Sequence, residues 1–425
     1  MFRFAHATHP HWSGAVELAI AQLEGQLQLE QFAVERDRTQ QVGLVYFTDA
    51  FAPHAAEMLE MLKKRTGIED WIGGGAVGVV ATGAEYFQEP AVSVMLMHFP
   101  ANSTRIFSGR KPLPKPGTLN AAGRSSLHAG IVHISPDVDD LGDLVEDLSS
   151  KFTGPNVFGG LLSNAGGGVH VAGEVLQGGV SGLLLAENIS LDVRVTQGCQ
   201  PIGPEHTITR VQGQFALELD DEPALDILLR DLGLDEQVLS DRGLDEAAAM
   251  ISSRVSRGLF VGLRSEQDAH TSDVLRFAGA GATGPHGDYR VRAVVGLEPA
   301  RRSIAIADRA QPGERLTFCV RDEPAARADL VRMCAEMRED LDAPAPQISS
   351  LHTAGFQGLK SARKPKGAIY VVCNGRGAGL FGQNGAEMQL IREQLGDLPV
   401  VGFFANGEIR GSNIYGYTGI LTLIF

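Results

Sequence analysis

Gly367-Ala368-Ile369-Tyr370-Val371-Val372-Cys373-Asn374-Gly375-Arg376-Gly377 and Pro399-Val400-Val401-Gly402-Phe403-Phe404-Ala405-Asn406-Gly407-Glu408-Ile409 are the stretches whose reading decides the fold. The first is an apolar, β-branched and aromatic run stopped by Asn-Gly, the pattern of a buried strand ending in a turn. Between the two, Met388, Ile391 and Leu395 fall at i, i+3 and i+7, and Gly396 stands where a helix C-terminus favours positive φ. Strand, helix and strand within about forty residues predict a right-handed βαβ crossover with parallel strands. Both C-terminal strand ends then lie on one edge, where open α/β sheets commonly take ligands. That edge gathers Cys373, Asn374, Gly375 and Arg376 beside Ala405, Asn406, Gly407 and Glu408.

The same scheme recurs upstream. Val42 to Phe47 precedes a helix with Ala55, Met58, Leu59 and Leu62 on one face, then Trp71-Ile72-Gly73-Gly74-Gly75 and a strand from Ala91 to Phe99. Ile131 to Ile134 precedes a helix carrying Leu141, Leu144, Val145 and Leu148, then Val157 to Asn164 and a strand from Gly182 to Ala186. The third copy ends with Thr418 to Phe425. From first strand to glycine corner is about thirty residues each time, a discontinuous period that suits an α/β core rather than a solenoid. The fold class expected is therefore α/β with mixed sheets, built from repeated β-α-β-β units, with stacked sheets inside outer helix layers. Two modules meeting near residue 215 (37–215 and 216–425) follow an N-terminal amphipathic helix segment, 1–36.

Fifty-one acids against 37 bases give a net charge of −14, which argues against nucleic acid or an anionic membrane surface as the partner. Apolar content of 44% is ample for a core. Cys199, Cys319, Cys334 and Cys373 show no CxxC spacing and no disulfide framework. The first residues lack a signal-peptide core, and no apolar run approaches the roughly 20 residues that span a bilayer. A cytoplasmic protein with reduced thiols is the expectation.

Several local features carry blander readings. His6, His9 and His11 sit at a terminus read as loose and lack a supported fourth ligand, so they are a surface cluster rather than a metal site. Lys111 to Pro116 is an extended proline-rich connector. Asp220 and Asp221 precede a helix with Leu225, Leu228, Leu229 and Leu232, near its positive end. Strands follow at Leu259 to Arg264, Tyr289 to Leu297, Ser303 to Ala307 and Leu316 to Val320. Asp322 is typed as the N-cap of a helix whose buried face holds Leu330, Met333, Cys334, Met337 and Leu341. The loop from His352 to Lys366 is read as the only local basic patch.

Six motifs in order resemble the FIST domains: Tyr46-Phe47-Thr48-Asp49, Phe158 to Ser163, Gly198 to Pro204, Phe318-Cys319-Val320-Arg321-Asp322, Cys373 to Gly377, and Gly402 to Ile409. The resemblance spans roughly residues 37 to 425, both N-terminal and C-terminal modules. It implies an intracellular sensory module of signal transduction that takes amino acids or similar small molecules. With no kinase, cyclase or F-box segment here, the output is expected from a separate protein. The resemblance also extends to a haem-binding branch, which makes a haem-binding sensor an alternative. Where many relatives carry His between Phe and the residue-Arg-Asp that follows, this chain has Cys319, and no haem ligand is assigned; the expected cofactor is none.

The residues support a binding reading by themselves. An amino acid needs a cation for its carboxylate, an anion for its ammonium and a mostly dry cleft. Arg376 offers a planar fork, Glu408 the counter-charge, and Asn374 and Asn406 donors and acceptors. Phe403 and Phe404 are expected as apolar walls, and Gly375, Gly377 and Gly407 let backbone amides approach. Ser163 and Asn164 form a second edge in the middle repeat. The alternatives are an Arg376–Glu408 pair that merely ties two loops, a cysteine enzyme using Cys373 with His352 as the nearest base in sequence, and a scaffold that binds only protein. No metal motif, phosphate loop or dinucleotide fingerprint is present.

Overall fold

The computed structural model describes residues 1–29, 39–119, 121, 123, 125, 127–152, 156–234, 258–264, 290–342 and 364–425. His352 and most of the basic loop lie outside these. The chain divides into two compact units: Met1–Thr196 with Ala328–Ile414 and Thr418–Phe425, and Gln197–Arg327 with Tyr415–Tyr417.

All three β-α-β-β repeats lie in the first unit. Each has its parallel pair: Val45 opposite Gly73, Val132 opposite Gly159, and Tyr370 opposite Gly402. The helices Ala55–Thr66, Leu141–Ser150 and Ala386–Leu395 make the crossovers, and Gly396, at φ 74°, caps the last. The glycine corner has a steric cause. A Cβ on Gly73 would stand 1.8 Å from the Val45 carbonyl oxygen, on Gly159 1.9 Å from that of Val132, and on Gly402 1.7 Å from that of Tyr370. Two backbones pass too closely there for any side chain.

After each corner the chain leaves its own sheet. The hairpin strand Gly78–Ala81 of the first repeat pairs with Val400–Ala405 of the third. Val169–Ala172 of the second pairs with Trp71–Ala76 of the first, and Glu408–Arg410 of the third pairs with Val157–Leu161 of the second. The exchange runs in a ring, giving three mixed six-stranded sheets. Their inner faces share one core, with Leu44, Tyr46 and Ile72 from the first sheet, Ile131, Phe158 and Leu183 from the second, and Ile369, Val371 and Phe403 from the third. Gly74, Gly160 and Phe403 are equivalent by register, each following a corner glycine. One large ring fills the middle, and Phe403 sits 4.7 Å from Tyr46 and 5.8 Å from His133. On the outer face of the first sheet, the helices Trp12–Leu29 and Ala55–Thr66 bury Val16, Ile20, Leu23, Met58 and Leu62. Leu141–Ser150 covers the second sheet with Val145 and Leu148.

The N-terminus corrects the expectation of a loose end. Arg3–Thr8 is a strand with alternating burial, paired antiparallel to Ala91–Pro100. His6 Nδ1 lies 2.6 Å from the Tyr86 hydroxyl, and His9 Nδ1 accepts the His11 N–H at 3.0 Å, which occupies two of the cluster's ring nitrogens.

The second unit contains no β-α-β-β repeat among the described residues. Its strands Arg315–Arg321, His206–Gln212, Phe215–Leu219, Ser303–Ile306, Arg290–Glu298 and Leu259–Arg264 pair antiparallel in that order, and the last returns to the first. The result is a closed barrel filled by Ile208, Leu219, Val261, Ile304, Leu316 and Phe318, with Leu225 and Leu228 of helix Ala224–Asp231 packed on it. Asp322 caps its helix as read, its carboxylate accepting the Ala325 N–H at 2.8 Å. Asp220 and Asp221 do not serve a helix end: both have positive φ in a strand turn, and Asp220 holds His206.

Candidate functional site

The C-terminal ends of the three parallel pairs converge, and Ser163 is where they meet. Its hydroxyl donates to the Phe404 carbonyl at 2.5 Å and accepts the Val77 N–H at 2.9 Å, so one side chain of the second repeat ties down the first and the third. Beside it the Asn406 N–H donates to the Leu161 carbonyl at 3.0 Å, and the Leu161 N–H to Gly407 at 2.8 Å. Asn374 and Asn406 end adjacent strands and join through their carboxamides, Nδ2 to Oδ1 at 2.5 Å. Asn406 Nδ2 reaches the Leu162 carbonyl at 3.5 Å. Asp49, at the matching strand end of the first repeat, accepts the Ala165 N–H at 3.2 Å; burial pushes its carboxyl up, and that bond opposes the rise. The two edges read separately in the sequence, Asn374 with Asn406 and Ser163 with Asn164, are therefore one polar rim built from all three repeats.

Asn164 is the unusual member. By register it takes the position held by Gly78 and Gly407 in the other repeats. It is only 4% exposed, yet neither its Oδ1 nor its Nδ2 has a hydrogen-bond partner among the described residues. Asn374 Oδ1 is likewise buried and unpaired there. Leaving such an amide without a partner costs about 1–3 kcal/mol per group, so the rim holds unspent donor and acceptor capacity. Asn406 is exposed and Asn374 half-buried, which opens the rim to solvent on that side.

The expected charged clamp is not formed at this rim. The Arg376 side chain is fully enclosed, and its Nε and Nη2 both donate to Glu387 Oε1, at 2.8 and 2.6 Å. Glu387, from the crossover helix, also accepts the Tyr370 hydroxyl at 2.5 Å. Burial alone would lower the guanidinium's pKa, but the nearby Glu387 carboxylate raises it, so Arg376 stays charged. Glu408 is also sealed. Its Oε2 accepts from the Thr418 hydroxyl at 2.6 Å and from the Thr418 N–H at 3.3 Å, while burial pushes its pKa up to about 8. Arg376 thus forms its ion pair with Glu387, a residue outside the expected clamp, while its charge opposes the burial-driven rise in the Glu408 pKa. Glu85, on the exchanged hairpin of the first repeat, accepts the Met388 N–H at 3.0 Å beside this pair. Burial first, then the Glu387 charge, raise it to about 7.

Phe403 and Phe404 are core rather than pocket walls: Phe403 fills the centre, and Phe404 packs edge-on against Phe87 at 5.0 Å. Gly377 adopts φ 58° where a Cβ would press on the Phe404 ring at 3.0 Å. The Gly375 N–H points to Cys373 Sγ at 3.5 Å. Gly407 offers its carbonyl to Leu161. Cys373 is buried at its strand end.

A buried polar group lies in the central core, and His133, whose sequence reading is a packed or surface residue rather than a ligand, is part of it. The Tyr46 hydroxyl and His133 Nε2 are 2.8 Å apart, and His170 Nδ1 lies 3.0 Å from the Ser181 hydroxyl. Burial drives the two imidazoles down to about 3 and about 4, so both are neutral. His133 on an otherwise apolar strand was the only signal. Among the described residues no group of three or more His, Cys, Asp or Glu side chains is arranged to hold a metal ion. Nor is any helix there long and apolar enough to cross a membrane.

Comparison with known proteins agrees with the motif reading. Residues 41–222 match the FIST N domain and residues 224–410 the FIST C domain. An uncharacterized protein of Mycobacterium tuberculosis is 31% identical over 367 residues, covering 83% of this chain and 82% of that protein. An uncharacterized protein of Mycobacterium bovis is 29% identical over 388 residues, 88% of each.

Proposed function

Because the chain belongs to the FIST family, whose domains are associated with sensory function in signal transduction, we propose that it is a cytoplasmic receptor for an amino acid or similar small zwitterion. The ligand sits on the rim formed by Asn374, Asn406, Ser163 and Asn164. The observation that carries this reading is the enclosed Asn164 carboxamide, which has no partner among the described residues at the point where three repeats converge. Asn374 and Asn164 together present donors and acceptors to a carboxylate and an ammonium group, and Asp49 supplies a negative charge on the same rim. Arg376 and Glu408 lie behind it as positioning residues. The Arg376–Glu387 pair fixes the turn that carries Asn374, and Glu408 fixes the strand that follows Asn406. The signal passes to a separate output protein.

Calorimetric titration with the common amino acids tests this. The expected result is saturable binding by one chemical class and a loss of about tenfold or more in Asn164→Leu, as for a site whose hydrogen-bonding side chain is removed. Equal affinity in Asn164→Leu would take the ligand off this rim.

A further inference from the structure

In a chain of net charge −14, residues 91–136 contain Arg105, Arg110, Lys111, Lys115 and Arg124 and not one Asp or Glu. This is a second basic stretch besides the 352–366 loop. A cavity of about 240 Å³ opens within it, in the first unit. Ser103, Thr104 and Arg105 line one side, at the start of strand Thr104–Ser108, which is the last strand of its sheet. Leu184, from the neighbouring strand, makes an apolar floor, and Leu119, 60% exposed, stands at the lip.

The polar wall is built. Ser103 is 3% exposed, and its oxygen accepts the Asn188 amide at 2.9 Å, which leaves the hydroxyl proton available to donate. The Gln40 carboxamide brackets the Thr104 backbone, accepting its N–H at 3.4 Å and donating to its carbonyl at 3.2 Å, and so fixes the strand start. The cations of the stretch differ in how they are engaged. Arg110 pairs with Glu174 at 2.7 Å, whereas Arg105, exposed and lining the cavity, has no ion pair among the described residues.

We propose that this cavity binds a small monocarboxylate, its carboxylate on the Arg105 fork and the Ser103 hydroxyl, its short apolar tail over Leu184 toward Leu119. Charge segregation selects an anion, and a planar guanidinium favours a carboxylate held by two parallel bonds. A cavity of about 240 Å³ suits a short-chain acid. None of these residues belongs to the rim at Ser163, so the two sites stand or fall separately.

Calorimetry at low ionic strength with acetate, lactate, butyrate and inorganic phosphate tests the site in the wild type, Arg105→Gln and Arg110→Gln. Saturable binding that favours butyrate, weakens about tenfold or more in Arg105→Gln and is retained in Arg110→Gln is expected. Arg110→Gln makes the same charge change outside the cavity. Equal loss in both variants would reduce the effect to general charge, and phosphate binding as well as butyrate would remove the carboxylate assignment. Unchanged affinity in Arg105→Gln, or no saturable binding by any probe, would overturn the site.

Discussion

Replacing Arg376 by Met tests whether the buried ion pair is structural. The substitution keeps most of the side-chain length and removes both bonds to Glu387 and the stacking of the guanidinium over Phe381 at 5.3 Å. It leaves Glu387, 1% exposed, with the Tyr370 hydroxyl and beside Glu85. Stranding one member of a buried pair costs about 3–5 kcal/mol, a large part of a domain's total of about 5–15. In Arg376→Met/Glu387→Met the stranded charge is gone. The Tyr370 hydroxyl remains unpaired at a cost of about 1–3 kcal/mol, so the double variant should be the more stable of the two. Both tryptophans, Trp12 and Trp71, lie in the first unit, so urea unfolding followed by tryptophan fluorescence reports on the unit that holds the pair. A double variant as unstable as the sum of its singles, or a single with the wild-type midpoint, would show that the two side chains are not coupled. Ligand affinity measured on folded Arg376→Lys then separates positioning from contact, since Lys keeps the charge and loses the fork.

Four further outcomes are expected. His206 lies between Asp220 at 2.7 Å and Asp231 at 3.0 Å; burial alone would lower its pKa, but the two carboxylates raise it above 6.5. Its contribution to stability is therefore full below the unfolded pKa and lost as pH rises through the folded one. Calorimetric melts between about pH 6 and 9 should show a decline in the wild type that His206→Gln lacks. Glu85 behaves alike in sign: with its pKa raised from 4.5 to about 7, it favours the folded state at low pH and loses that effect across this interval. Glu85→Gln, which can still accept the Met388 N–H, should flatten the fluorescence-monitored profile there. Gly73→Ala should prevent folding of the first unit or cost more than about 3 kcal/mol, because backbone must move. Gly25→Ala, in the open on helix Trp12–Leu29, should instead stabilise by about 0.5–1 kcal/mol in the same assay.

The repeats were legible because their signals are local. Apolar alternation, the Leu141-Leu144-Val145-Leu148 stripe and the helix-ending Gly396 each act within a few residues, and the crossover rule then fixes parallel pairing. Where the hairpins go was not legible. Val80, Val171 and Ile409 read as ordinary strand residues, and nothing in their spacing says that each faces the glycine of another repeat: Gly402, Gly73 and Gly159. The barrel's strands were legible but not its closure, since the return from Leu259–Arg264 to Arg315–Arg321 is a long-range contact. At the candidate site the amides were placed correctly on strand ends. The ion pair was not: Arg376 and Glu408 stand as opposite signs near one edge, whereas Arg376 pairs with Glu387 on the crossover helix, a position that strand-end reasoning does not single out.

Under the proposed function, ring exchange would let the rim report on the whole first unit. Each sheet contains a hairpin from another repeat, so no repeat completes its own sheet, and the shared core closes only when all three are present. Ser163 bonds to Val77 and Phe404, residues 86 and 241 positions away, at the point where the sheets come together. A ligand that pairs the Asn164 and Asn374 amides therefore acts on contacts among all three repeats at once, and its differential affinity for their assembled arrangement bounds the change it can impose. The rigid, fully enclosed Arg376–Glu387–Tyr370 group behind the rim holds the turn that carries Asn374, so displacement of that amide is opposed by a buried ion pair rather than by a solvated loop.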